Sequence, residues 1–72
     1  MNISKKIKIQ LNGKKYQVMA KCSLKKLLKI LKKENNKVAI ELNGSIANKS
    51  KYDKIFLNKN DKVEIVQFIG GG

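Results

Sequence analysis

Histidine, arginine and proline are absent from this 72-residue sequence, and cysteine occurs once. Without histidine, the commonest general base near neutral pH and the commonest metal ligand are both missing. A lone cysteine, Cys22, excludes an internal disulfide and supplies no pair with metal-ligand spacing. Lys5, Lys6 and Lys8 stand near the start, but the apolar stretch of a secretory signal does not follow them. Uninterrupted apolar runs are only a few residues long, far short of a membrane span. The composition reads as a soluble protein of a reducing compartment. Seventy-two residues make one domain with one core. A chain this short hides only about 60% of its unfolded surface, so a deep catalytic cavity is not expected.

Acidic residues are also scarce, 5 against 17 basic ones, for a formal charge of +12. Such a balance invites a nucleic-acid reading. Every basic residue is lysine, however, and arginine, the bidentate reader of guanine and phosphate, is lacking. Lysine, asparagine and isoleucine share A- and T-rich codons, so drift in base composition accounts for the charge. Tyr16, Tyr52, Phe56 and Phe68 do not interleave with lysines as a base-stacking platform requires. No specific nucleic-acid partner is expected, only weak and strongly salt-dependent binding.

Along the chain, Ile7, Ile9 and Leu11 alternate with Lys8 and Gln10, the period of a strand with one buried face. Asn12-Gly13 is the strongest short hairpin signal, because a type I′ turn needs positive φ at both central residues. Tyr16, Val18 and Ala20 form the returning strand. Ser23 then precedes a change of period and fits a helix N-cap. Leu24, Leu27, Leu28 and Leu31 lie at i, i+3, i+4 and i+7, one stripe of a helix whose other side is lysine. So short a helix depends on a sheet to hold its leucines. Val38, Ile40 and Leu42 make a third strand, Asn43-Gly44 a second turn, and Ser45 to Ala47 a short fourth strand. Asn48 to Asn60 reads as polar and irregular, with Tyr52, Ile55, Phe56 and Leu57 anchoring it to the core. Lys62 to Phe68 is the last strand. The pattern specifies an α+β roll, a mixed sheet of four to five strands with one main helix on one face.

The last strand carries Val63 and Ile65 on one face and Val66 and Phe68 on the other. If the helix covers the first face, Val66 and Phe68 form an exposed apolar patch, as partner-binding surfaces do. The alternative is that Phe68 folds back and closes the end of the core. After them comes Ile69-Gly70-Gly71-Gly72. Glycines lose the most backbone entropy on ordering. At ~3.3–3.6 Å per extended residue these four reach roughly 13 Å from the strand. Two readings of that end stay open: a frayed terminus, or a thread that carries a carboxylate into a narrow cleft. Cys22, just before the N-cap, reads as a small apolar plug at the strand–helix junction; the alternative is a thiol activated by the helix dipole.

Several stretches together resemble one family: Asn12-Gly13, Leu27-Leu28, Ala39-Ile40-Glu41-Leu42-Asn43-Gly44, Ser50-Lys51-Tyr52, and Asp61-Lys62-Val63-Glu64-Ile65-Val66-Gln67-Phe68-Ile69-Gly70-Gly71-Gly72. They are similar to the ubiquitin-like β-grasp sulfur carriers, and the ending resembles most the ThiS family of thiamine biosynthesis. Two departures stand out. Ala47-Asn48-Lys49 replaces the Val-Pro-Arg of many members, which puts in doubt an arginine contact there, and Lys59-Asn60-Asp61 replaces Asp-Gly-Asp.

The resemblance implies a β-grasp domain over residues 1–68 and a flexible, reactive tail over 69–72. It implies a carrier and not an enzyme: no catalytic residue, no metal site and no bound cofactor, with ATP and Mg used by the partner. That partner is an E1-like adenylating enzyme (ThiF type), which activates the Gly72 carboxylate. Sulfur traced to a cysteine desulfurase then makes a thiocarboxylate, and a thiazole synthase (ThiG type) accepts it. Gly70 and Gly71 would thread the tail, and Val66, Phe68 and Ile69 would contact partners. Other outcomes consistent with the same tail are a carrier for molybdopterin or tRNA thiolation and a ubiquitin-like protein modifier. A basic RNA-binding module would need the charge alone. The implied location is the cytoplasm, or the plastid (chloroplast) stroma if the gene is plastid-encoded, with no membrane partner.

Overall fold

The computed structural model describes residues 5–68. Five strands form one mixed sheet: β1 (Lys6–Leu11), β2 (Lys14–Met19), β3 (Val38–Leu42), β4 (Ser45–Ile46) and β5 (Lys62–Gln67). A single helix, α1 (Leu24–Ile30), lies between β2 and β3, with short 3₁₀ turns at Asn35–Lys37 and Lys49–Lys51. The strand order is β2-β1-β5-β3-β4. β1 and β5 run parallel, and every other neighbouring pair is antiparallel. The expected roll is therefore present, with five strands, and the last strand in sequence is the central one.

The hairpin turns form as their residues dictate. Asn12 and Gly13 hold φ of 50° and 82°, and Asn43 and Gly44 hold 52° and 89°. These are left-handed values that Asn and Gly reach most easily. Asn60 stands at φ 70°. Many members of the family that the sequence resembles carry glycine at that position, and asparagine is the side-chain-bearing residue that tolerates such a φ most readily.

Helix α1 begins where the period changes. Ser23 caps it, its Oγ accepting from the Lys26 amide at 3.0 Å. The remaining first-turn amides find partners as well: Leu24 N–H donates to the Ile55 carbonyl at 2.9 Å and Lys25 N–H to the Tyr52 carbonyl at 3.0 Å. The 52–57 segment thus serves as a cap for the helix and not merely as a loop. At the other end, Lys33 N–H reaches the Leu28 carbonyl and Lys32 N–H the Lys29 carbonyl, a Schellman arrangement with Lys32 at φ 58°.

Leu24, Leu27 and Leu28 are buried against Ile9, Val18, Val38, Ile40 and Val63 on one sheet face, with Tyr52 and Leu57 closing the rim. Each fully buried leucine contributes about 1.5–3 kcal/mol, and only this packing sustains a seven-residue helix. One expectation fails here. Phe56 does not anchor the core; its side chain is 53% exposed, while its backbone bridges Ser23. The alternating conformation of residues 55–57 sends Ile55 and Leu57 inward and Phe56 outward.

Candidate functional site

Strand β5 leads directly into Ile69, and its two sides are paired differently. On the β3 side the register runs from Leu42 opposite Val63 to Val38 opposite Gln67. It is extended at one end by Asn43 N–H to the Lys62 carbonyl (2.8 Å) and at the other by Phe68 N–H to the Lys37 carbonyl (2.9 Å). The even-numbered residues of β5 therefore face β3, and the odd-numbered ones face β1. On the β1 side, pairing stops after Gln10–Lys62 and Leu11–Val63. The first hairpin continues it by one step. Asn12 N–H donates to the Val63 carbonyl at 2.9 Å, and Ile65 N–H donates to the Asn12 side-chain oxygen at 2.8 Å.

The second Asn-Gly turn grips the same strand from the other side. Asn43 Oδ1 accepts from Lys62 N–H at 2.8 Å, and its Nδ2 donates to Asp61 at 3.0 Å. Asp61 in turn accepts from the Asn58 amide at 2.7 Å. The start of β5 is thus pinned through side chains as well as ladders. Near its end, Lys33 Nζ on the helix side donates to Gln67 Oε1 at 2.9 Å. The base from which the chain continues is held by the β3 ladder, by the two Asn-Gly turns and by the lysine that follows the helix.

The face of β5 turned away from the helix bears Val66, 56% exposed, and Phe68, 53% exposed. Phe68 does not fold back onto the core. Lys49 Nζ lies 5.5 Å from its ring centroid, within cation–π range. Lys49 occupies the position where the resembling pattern has arginine, so a cation still stands beside the ring. Ala39 pairs with Val66 across the sheet, and Ile46, 75% exposed, pairs with Glu41 on the same open face. Sequence reasoning missed Ala39 as the cross-strand neighbour of Val66 in this patch. The two-residue turn at Asn43-Gly44 implies the Glu41–Ile46 pairing, but nothing in the linear order announces that β3 lies beside β5. Beside the apolar patch, Glu41 and Glu64 face each other directly in the ladder, an unfavourable like-charge pair. Ile69, Gly70, Gly71 and Gly72 lie outside the described residues.

Cys22 is buried, and burial pushes its thiol above the ordinary cysteine value, with the Lys26 ammonium pulling weakly the other way. Its carbonyl accepts from the Leu57 amide at 2.8 Å. That is the environment of an inert packing residue. Among the described residues no group of three or more His, Cys, Asp or Glu gathers to hold a metal ion, and no helix is long and apolar enough to cross a membrane.

Comparison with known proteins adds to this geometry. Residues 8–72 match the sequence model of the ThiS family. The ycf40 protein of Porphyra purpurea is 36% identical over 70 residues, 97% of this chain and 99% of that one. The sulfur carrier protein ThiS of Bacillus subtilis is 37% identical over 65 residues, 89% of this chain and 98% of its own length. A thiazole synthase of Paramagnetospirillum magneticum is 41% identical over 66 residues, 92% of this chain but only 20% of the synthase. The crystal structure of the thiamine biosynthesis protein ThiS from Geobacter metallireducens superposes with a TM-score of 0.79 at 30% identity, covering 92% of this chain and all of the other. On family match, relatives and shared sheet topology together, the chain belongs to the ThiS family.

Proposed function

We propose that this chain carries sulfur as a thiocarboxylate at Gly72 and delivers it to a thiazole synthase. As a ThiS-family protein it is a sulfur carrier of thiamine biosynthesis and not an enzyme. A carboxylate is a poor electrophile, since its leaving group would be oxide. An adenylating partner overcomes this when a Gly72 carboxylate oxygen attacks the α-phosphate of ATP, expelling pyrophosphate and leaving an acyl-adenylate. Sulfide then displaces AMP to give the thiocarboxylate. Where a persulfide attacks instead, a second thiol must cleave the S–S bond of the resulting acyl disulfide. Mg belongs with the nucleotide on the partner.

The observation that carries this reading is the position of β5. The central strand of the sheet, pinned on both sides, runs straight into Ile69-Gly70-Gly71-Gly72, and the exposed Val66 and Phe68 sit at the point of exit. A partner gripping that patch would have the tail aimed into its own active site. Gly70 and Gly71 would let the tail lie against protein on all sides, because a Cβ there would clash or restrict the backbone. The chain's own chemistry agrees with a passive role, since it has no histidine and its one thiol is buried. The thiazole synthase relatives support the choice of acceptor: a segment like this chain occurs within the same polypeptide as that enzyme. The ycf40 relatives in the algae Porphyra purpurea, Pyropia yezoensis and Trieres chinensis support a plastid-encoded gene, hence action in the plastid stroma.

Intact mass spectrometry tests the proposal after incubation with a ThiF-type adenylating enzyme, ATP, Mg and sulfide. The expected gain equals replacement of one carboxylate oxygen by sulfur, located at Gly72 and lost when the terminus is an amide. Thiocarboxylate formation by the amidated protein would place the chemistry elsewhere.

A further inference from the structure

The pairing of β5 leaves a gap that belongs to neither outer edge of the sheet. Odd-numbered residues of β5 direct their backbone groups towards β1, but β1 ends at Leu11, and Asn12 supplies the last partners. Beyond it, the Ile65 carbonyl and both the N–H and carbonyl of Gln67 have no partner among the described residues. The even-numbered groups of the same segment remain paired with β3 as far as Phe68. Gln67 is an exposed residue and Ile65 a half-buried one. Open space surrounds Gly13 at the adjoining turn, where an added Cβ would meet nothing within 4 Å.

The outer edges of the sheet are protected against strand addition. Along β2 stand Lys14 and Lys15, and β4 is only two residues long; both are standard ways of blunting an edge. The gap beside residues 65–67 has neither device. It offers an acceptor, a donor and an acceptor on alternate residues, the pattern that an extended strand reads. Val66 lies between them on the open face with Phe68 beyond, so side chains of an added strand would land on the apolar patch. The same stretch of chain continues into Ile69.

We propose that the adenylating partner adds a short extended segment to this gap, pairing with Ile65 and Gln67 and so completing β5 on its β1 side. This rests on the sulfur-carrier reading and specifies how the partner grips the root of the tail: through main-chain hydrogen bonds that fix its direction, with Val66 and Phe68 supplying apolar contact. About three residues of partner strand are enough to reach all three groups, given ~3.3 Å per residue.

The test uses the whole carrier and a ThiF-type adenylating enzyme with ATP and Mg. In the isolated carrier, amide exchange at Gln67 should be fast while its neighbours Val66 and Phe68, paired with β3, exchange slowly. Saturation with the enzyme should protect Gln67. Gln67→Pro deletes the outward N–H without touching the β3 ladder, and Gln67→Ala controls for loss of the Lys33 contact. Gln67→Pro should bind about tenfold more weakly than Gln67→Ala, the effect of one backbone hydrogen bond. Equal affinity of the two variants, or an unprotected Gln67 amide in the saturated wild-type complex, overturns the strand addition while sulfur transfer to Gly72 continues. The exchange measurement decides the question even if the proline variant does not fold. Failure of the wild-type chain to be adenylated or to gain sulfur overturns the carrier reading itself, and the docking mode with it.

Discussion

Asn12 does two jobs that substitution can separate. Its backbone sits at φ 50°, and its side-chain oxygen accepts from the Ile65 amide at 2.8 Å, tying the first hairpin to the strand that leads to the tail. Alanine removes both the bond and the tolerance of a left-handed backbone. The bond contributes about 0.5–1.5 kcal/mol net, and the backbone penalty for an ordinary L-residue is about 1–2 kcal/mol. Asn12→Ala should therefore cost ~2–3 kcal/mol, a large part of the roughly 4–11 kcal/mol available to a domain of this size. Glycine relieves the backbone and loses only the bond, so Asn12→Gly should cost about 1 kcal/mol. Aspartate keeps an acceptor at the same place and also tolerates positive φ, so Asn12→Asp should stay within ~0.5 kcal/mol of wild type. Urea unfolding followed by circular dichroism measures the series. With a slope of ~1 kcal/mol/M, the alanine midpoint falls by about 2 M. If alanine and glycine destabilise equally, the backbone argument is wrong. If glycine matches wild type, the bond to Ile65 contributes nothing.

Phe68→Ala should leave the domain folded, costing no more than ~1–2 kcal/mol for a half-exposed ring, while weakening binding of the adenylating enzyme; a loss of ~3–5 kcal/mol in urea melts would mean that the ring belongs to the core. Lys32→Gly should stabilise by about 1 kcal/mol, because Lys32 closes the helix at φ 58°; an unchanged or lower melting temperature would refute that. Glu64→Thr should gain ~0.2–1 kcal/mol by removing the repulsion with Glu41, and the gain should shrink at high salt; a destabilised variant would show that the pair is not repulsive in this setting. The raised pKa of the Cys22 thiol means that the folded state holds the proton to higher pH than the unfolded state does. Its contribution is complete below the unfolded thiol's pKa and declines as pH rises through the folded value. The stability of wild type relative to Cys22→Ala should therefore fall as pH climbs through the thiol range, whereas a constant or growing difference in urea midpoints would contradict the burial argument. The same Cys22→Ala variant should still acquire sulfur at Gly72 as judged by intact mass.

Much of this molecule is written in local pattern. Alternation at Ile7, Ile9 and Leu11, the Asn-Gly dipeptides, Ser23 before the leucine stripe and the two faces of β5 all depend on neighbours a few residues apart. Period, turn chemistry and capping act at that range, and each produced the element its residues implied. Phe56 was misread for the same reason that local reading works. Hydrophobicity marked it as a core residue, but the conformation that lets the 52–57 segment cap the helix turns the ring outward. Only the tertiary structure decided which strands are neighbours. β5 comes last in the chain yet lies between β1 and β3, so Asn12 can reach Ile65 across 53 positions of sequence, and Asn43 can reach Lys62. That same placement sets Ala39 beside Val66 and Glu41 against Glu64 and leaves the gap beside Gln67, because β1 stops before β5 does. Where a strand lies in a sheet is decided by packing the helix over a shared core, a long-range balance that no run of adjacent residues encodes.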